Sequence, residues 1–435
     1  MSRMWWYTLG VLTLWIVNPE LRRIYGYLFG FSTLDVLAIV PLLSLTPYVW
    51  SLTFGGGWRR LPRLLSFAAW LWVGGFTYAL VISALSGNLV PGLYDFIGFV
   101  LPIAVGLWLV ADAAPFQIAY RRVTRILFAL ATLISLYGVI QYVVAPAWDV
   151  AWLRSLIQQY GTTTFGNPVP FQIRVFSTAS SPAGFALFLA LVLVFALPEL
   201  SFRKPALLLQ VPTWFIAFAL SFIRTGWLMF ALGALTYVIL TPRRNTLLAA
   251  LTLSAVLVMA LMAVLPSATG NDQFFASLND RLSTFSNLDD DYSQQARTGT
   301  YASAPEIIGE APFGQGLGVL GTSTKLTAKG VSTDFDSGIL GRAVEMGIPG
   351  VILYLVPLTL LLFGSIYVWN DGRVKRDYVL QAVAAMAIAL NVALAFEQLS
   401  LDASGLLALT VWLVESLTLR AVKSDPVPLS KLAVA

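Results

Sequence analysis

Apolar positions are gathered into long runs separated by short polar connections, which is the length scale of membrane spans and not of half-buried strands. Runs able to cross a hydrocarbon layer of ~30 Å are Leu34–Phe54, Leu64–Leu85, Gly92–Ala111, Val123–Val144, Ala183–Leu197, Ala206–Phe222, Trp227–Leu240, Thr246–Leu265, Gly338–Trp369, Tyr378–Leu399 and Ala403–Leu419. A shorter run, Trp5 to Val17, lacks a small-residue cleavage site and reads as a retained first helix. The pattern predicts an all-α, polytopic membrane helix bundle of about twelve transmembrane helices. Residues 1–265 would hold spans 1–9, with a polar loop at 145–181, and residues 338–420 would hold spans 10–12 ahead of a tail at 421–435. Between them, residues 266–337 form a large polar, partly helical insertion, the kind of segment on which chemistry is usually carried.

Composition removes several classes of function. Of 435 residues, 58% are hydrophobic and 11% charged, with a mean hydropathy of +0.77, which a soluble fold of this length could not hide. There is no Cys, so thiolate nucleophiles and Cys-ligated zinc are excluded. There is no His either, so any general base must be a carboxylate, Lys or Tyr, and no metal site or cofactor is expected. The net charge of +5 falls in loops without interleaved stacking aromatics and gives no nucleic-acid signal.

Those charges set the topology. Arg59/Arg60/Arg63, Arg121/Arg122, Arg203/Lys204, Arg243/Arg244, Arg373/Lys375/Arg376 and Arg420/Lys423 occupy every second connection, which marks the cytoplasmic side. Both termini then lie in the cytoplasm, and segments 145–181 and 266–337 lie outside. Arg22/Arg23 break the alternation.

Ala206 to Leu240 is apolar except near SFIRTGW, and a single helix over these roughly 35 residues would reach ~52 Å. Basic pairs flank both ends, so one crossing would misplace one pair. Two short helices must therefore meet near Arg224, Thr225 and Gly226, with Arg224 at or slightly below the outer lipid surface. An arginine at that depth is expensive and a functional candidate, although snorkelling to lipid phosphates is the plainer alternative.

Other candidates lie in the polar segments. GNPVPFQIRVFSTASSPAG has the Gly, Pro and Ser content of ordered turns, and its Arg174 is either a loop brace or a ligand contact. In ARTGTYASAPEIIGEAPFGQGLG, Arg297 precedes a short helix expected to begin at Pro305, and Gly314, Gly316 and Gly318 allow close backbone approach or positive φ. Asp334 and Asp336 stand just before the Gly338 run, where Asp336 is placed as a helix cap or as a base. Arg342 and Glu345 have the i,i+3 spacing of a mutual pair steadying that helix. Asp289, Asp290 and Asp291 read as a solvated turn, and Glu397 or Asp402 as a partner for an inward-facing arginine.

In this order and topology the residues resemble the O-antigen ligase and Wzy-type polysaccharide polymerase superfamily, bacterial inner-membrane glycosyltransferases of the GT-C kind. RVFSTASSPAGFA is similar to that group's Arg-led entry to a helix, and SFIRTGWLMFALGAL to its Arg-Ser/Thr-Gly turn. Arg297 followed by APFGQGLG is similar to its loop arginine and glycine-spaced stretch. DSGILGRAVEMGIPG resembles the ending in which a His-Asn pair precedes a Glu-x-Gly-x-x-Gly element. Asp336 stands in the histidine's place and Ser337 in that of the Asn, which favours a polymerase over a ligase.

The resemblance implies a metal-independent transfer of a glycan from undecaprenyl diphosphate to an acceptor hydroxyl at the periplasmic face of the inner membrane. It assigns the diphosphate to Arg224 and Arg297 with Arg174 as a third contact, and the acceptor proton to Asp336, with Asp334 as the second choice. Implied partners are the lipid-linked glycan donor, the glycan acceptor and membrane lipid, with room for a chain-length regulator or flippase. Ligase-type transfer to a lipid or protein is the alternative. A lipid-linked oligosaccharide flippase would need charges lining the bilayer centre, and the spans are nearly charge-free.

Overall fold

The computed structural model describes residues 3–31, 36–112, 114–160, 164–200, 205–240, 302–303, 305–320, 324, 338–396 and 412–420. Among the described residues the regular elements are helices, and β structure is confined to one isolated bridge between Gly166 and Ile173. In chain order they are α1 (Arg3–Phe29), α2 (Val40–Leu43), α3 (Thr46–Thr53), α4 (Arg63–Leu85), α5 (Leu89–Ala111), α6 (Phe116–Val144), α7 (Ala147–Tyr160), α8 (Pro182–Ala196), α9 (Pro205–Leu220), α10 (Arg224–Leu240), α11 (Gly338–Lys375), α12 (Tyr378–Phe396) and α13 (residues 412–420). A further short helical stretch covers 305–310, where Pro305 was expected to open one.

Five of these helices, over Leu65–Leu85, Leu89–Ala111, Phe116–Val144, Pro182–Glu199 and Ile339–Lys375, are long and apolar enough to cross a membrane. The described residues thus support a multi-pass helical bundle but contain fewer full-length spans than the roughly twelve expected. One expected span is broken outright. The Leu34–Phe54 run folds as a 3-10 turn at Val36–Ala38 followed by α2 and α3, because Pro41 and Pro47 each open a new helix and cannot continue the one before. The run at Thr246–Leu265 lies outside the described residues.

Helix α8 is the centre of the bundle. All its residues but Ala183 are buried, and its apolar residues run around the whole circumference, as expected of a helix with no solvent or lipid face. Helices α6, α9, α10 and α12 pack around it, and α11 packs on α4 and α12. The chain enters α8 through Ser181, whose hydroxyl accepts the Gly184 amide at 3.1 Å, with Pro182 at the first turn. Helix α10 lies against α8 where Gly226 meets Ala186: a Cβ on Gly226 would stand 2.8 Å from the Ala186 Cβ.

The two ends of the bundle differ in chemistry. At one end Arg420 of α13 donates to the carbonyls of Leu109, Asp112 and Ala114, tying the last helix to the α5–α6 turn. Gln117 reaches Asp377 at the same end (3.4 Å), and Asp371 pairs with Lys375 at 3.0 Å. The opposite end carries the 145–181 loop, the α9–α10 turn, residues 305–320 and the start of α11. Arg23 sits at that opposite end, and its exception to the alternation has a physical cause: it is buried against its own carboxylates, so it does not act as a surface charge. The packing around α8 makes a direct prediction. Ala186→Leu should overpack the α8–α10 contact and cost about 1–3 kcal/mol, seen as a lowered thermal midpoint in detergent, while Leu209→Ala on the exposed face of α9 should leave it nearly unchanged.

Candidate active site at one end of the bundle

Helices α9 and α10 contain 16 and 17 residues and meet at a sharp turn of residues 221–223. Over the described residues the arms reach ~24–26 Å. Ser221 closes the turn by donating its hydroxyl to the Phe218 carbonyl at 2.6 Å, and Phe222 takes a positive φ of 54°. Arg224 is then the first residue of α10, half-buried, with Thr225 and Gly226 behind it. This is the two-helix arrangement that the flanking basic pairs required.

Arg174 closes a small hairpin. Its amide donates to the Phe165 carbonyl at 2.8 Å and its Nη1 donates to the Thr164 carbonyl at 3.2 Å, around the Gly166–Ile173 bridge. The loop-brace reading of Arg174 therefore holds, while its guanidinium stays only half-buried. The next residue supplies the link that matters: the Val175 amide donates to the Leu220 carbonyl at 3.0 Å. The Arg174 hairpin and the turn before Arg224 are thus stitched backbone to backbone, and these two sequence-predicted arginines flank the stitch. Arg297, Asp334 and Asp336 lie outside the described residues, as do Ser337, Glu397, Asp402 and Asp289 to Asp291.

Behind the stitch is a charged cluster that the sequence reading left unassigned. Arg23 Nε lies 3.0 Å from Glu20 Oε2 and 2.8 Å from Asp149 Oδ1, while Nη1 donates to the Ala179 carbonyl at 2.7 Å and Nη2 to the Ser177 carbonyl. Trp152 and Phe176 cover the faces of the guanidinium, with ring centroids at 5.2 and 4.7 Å. Tyr137 Oη lies 2.5 Å from Glu20 Oε1 and 2.8 Å from Asp149 Oδ2, and Trp148 Nε1 donates to Glu20 at 2.5 Å. Gln141 donates to Asp149 at 2.7 Å and accepts the amides of Phe176 and Ser177 at 3.1 and 2.8 Å. Burial pushes the Asp149 carboxyl up from its ordinary range, and the adjacent Arg23 guanidinium opposes that shift. The one signal available in the sequence was the Arg22/Arg23 exception to the charge alternation.

The glycine-spaced stretch forms a second construction at the same end. Helix α11 is interrupted at Gly347, whose φ of 64° and ψ of −173° are outside the helical range. Residues 312–318 dock into that interruption: Gln315 and Gly316 amides donate to the carbonyls of Val344 and Glu345 at 2.9 Å, and the Ile348 amide donates to the Pro312 carbonyl at 2.9 Å. Tyr78 and Ser83 of α4 donate to the Phe313 and Leu317 carbonyls at 2.8 and 3.0 Å. Gly314, Gly316 and Gly318 all have positive φ, and a Cβ on Gly316 would stand 2.6 Å from the Ser83 backbone. The stretch is therefore a clasp of backbone on backbone that joins the end of the 266–337 insertion to α4 and α11. Arg342 and Glu345 pair at 2.6 Å beneath it, both buried, with Arg342 over the Phe99 ring at 4.3 Å. The expected i,i+3 pair is present.

A family model described as O-antigen ligase matches residues 206–355. Comparison with curated proteins returns no match. The matched segment begins at the α9–α10 hairpin, spans the whole polar insertion and ends just beyond the Gly347 interruption, so it contains Arg224, the glycine clasp and the Arg342–Glu345 pair. Replacing Gly316 with Ala should open the clasp, since the new methyl meets main chain on α4. We expect transfer activity to fall at least about tenfold with the thermal midpoint lowered, whereas Gly309→Ala, where a Cβ meets nothing within 4 Å, should behave as wild type in both assays.

Proposed function

We propose that the protein is a metal-independent glycosyltransferase of the O-antigen ligase and polymerase type, with a GT-C-like helical scaffold, that extends glycans carried on undecaprenyl diphosphate at the periplasmic face of the bacterial inner membrane. The observation that carries this reading is the coincidence of the family match over 206–355 with the short-helix turn that lifts Arg224 to the edge of the bundle beside the Arg174 hairpin.

In the reaction the bond between the donor sugar's anomeric carbon and the diphosphate oxygen breaks, and the diphosphate leaves with the electron pair. The acceptor hydroxyl oxygen bonds to that carbon and gives up its proton. Charge accumulates on the departing diphosphate, so guanidinium groups that are permanently ionised and bind phosphate oxygens in bidentate fashion are suited to hold it. Arg224 and Arg297 take that role with Arg174 in support. Asp336 takes the proton, with Asp334 as second choice; an ordinary Asp near pKa ~3.9 serves as a base only if its surroundings raise it. The replacement of a histidine-type base by Asp336 favours repeat-unit polymerisation over ligation to a lipid or protein acceptor.

Purified protein reconstituted with a lipid-diphosphate oligosaccharide should produce a ladder of lengthening products that persists in the presence of a chelator. A single transfer that needs a second lipid would mean a ligase, and no transfer to any acceptor would end the glycosyltransferase reading. Arg224→Gln should lower turnover by about 10²–10³-fold, the loss of one donor to a developing anion (~2.7–4 kcal/mol). Full turnover in Asp336→Asn would remove the base assignment.

A further inference from the structure

We propose that Arg23 is a positioning residue for this outer site: its guanidinium fixes the backbone at Ser177 and Ala179 and thereby sets both the Arg174 hairpin and the turn that presents Arg224. For catalysis the inference rests on the function proposed above; for geometry it stands by itself.

Three elements meet at this one side chain, and α6 joins them through Glu20 and Asp149. Arg23 and Glu20 come from α1, Tyr137 and Gln141 from α6, Asp149 and Trp152 from α7, and the Ser177 and Ala179 carbonyls from the connection into α8. A residue that merely neutralised two buried carboxylates would not also need to hold two main-chain carbonyls of the connection into α8. Ser177 sits at φ 51°, a region that non-glycine residues seldom adopt, and the surroundings over-determine it. Its amide is held by Gln141, its hydroxyl donates to the Ile134 carbonyl at 2.6 Å, and its own carbonyl is held by Arg23. Two residues before it, Val175 makes the stitch to Leu220; four residues after it, Ser181 caps α8. A change at Ser177 is therefore passed in both directions, toward Arg174 and Arg224 and into the helix on which the bundle is built.

The charge balance of the cluster points the same way. Two carboxyl groups face one guanidinium, and the Tyr137 hydroxyl, with a single hydrogen, lies within hydrogen-bond distance of an oxygen from each. With Arg23 these groups form one connected network of buried polar side chains, an arrangement that rigidifies the main chain it grips.

The absence of Cys makes the test direct. Spin labels at Val169→Cys in the Arg174 hairpin and Leu228→Cys on the exposed face of α10 report the distance across the stitch by double electron–electron resonance. Three backgrounds are compared: wild type, Arg23→Lys, and the charge-balanced Glu20→Gln/Arg23→Met/Asp149→Asn, which removes the buried charges and keeps the protein foldable. We expect a single narrow distance in wild type, and a broadened or shifted distribution in the balanced variant even where its thermal midpoint matches wild type. Its donor KM should rise about 10–100-fold with kcat changed less than about threefold, and Arg23→Lys should fall between. A balanced variant that folds, keeps the wild-type distance and keeps the donor KM would overturn the proposal. If the unsubstituted protein shows no transfer at all, the enzymatic reading fails while the distance measurement still decides the positioning role.

Discussion

The break between helices α9 and α10 at residues 221–223 is the feature on which the candidate site depends, because it divides one long apolar stretch into two arms. Backbone amides and carbonyls cannot be left open in lipid, so the chain must turn where the polar layer begins. The turn at 221–223 puts an arginine at the first residue of the returning helix, half-buried at one end of the bundle. In the proposed reaction the departing diphosphate of a lipid-linked glycan is the anion that would share the site with this cation.

Arginines at this end of the bundle play contrasting parts. Arg342 and Arg23 are buried, paired with carboxylates and covered by aromatic faces, and their charge is consumed internally. Arg174 and Arg224 are half-buried, lie on either side of a backbone hydrogen bond and begin or end irregular segments. Of the first kind, Arg23 also holds main chain, through the Ser177 and Ala179 carbonyls; the second kind stands at the edges of the hairpin and the turn. The glycine clasp at 312–318 extends the same logic to the polar insertion, fastening its end to α4 and to the break in α11 through main-chain contacts that side chains would block.

What was legible in the sequence followed from long-range simplicity. Run length and the alternation of basic pairs forced the α9–α10 turn and located Arg224, and the spacing of Arg342 and Glu345 foretold their pair. The helix at 305–310 and the positive φ of the spaced glycines were likewise readable, because proline and glycine act through their own backbones. The break of Leu34–Phe54 was missed because hydropathy counts Pro41 and Pro47 as tolerable, although each ends a helix. The Arg23 cluster was illegible for a different reason: its members are drawn from residues 20 to 179, and only the fold brings Glu20 and Asp149 to one guanidinium and Tyr137 to both carboxyl groups. An arginine out of place in the charge pattern was the trace it left.

The central claim is that the outer arginines hold the lipid diphosphate. Its most direct test is a double-mutant cycle on the binding of undecaprenyl diphosphate itself, with no sugar attached, followed by native mass spectrometry for wild type, Arg224→Gln, Arg174→Gln and the pair. The account predicts that Arg224→Gln weakens Kd by about tenfold or more (~1.4 kcal/mol) and that the double variant loses less than the sum of the two, because both groups face one ligand. Affinities that stay at the wild-type value in all three variants would contradict it.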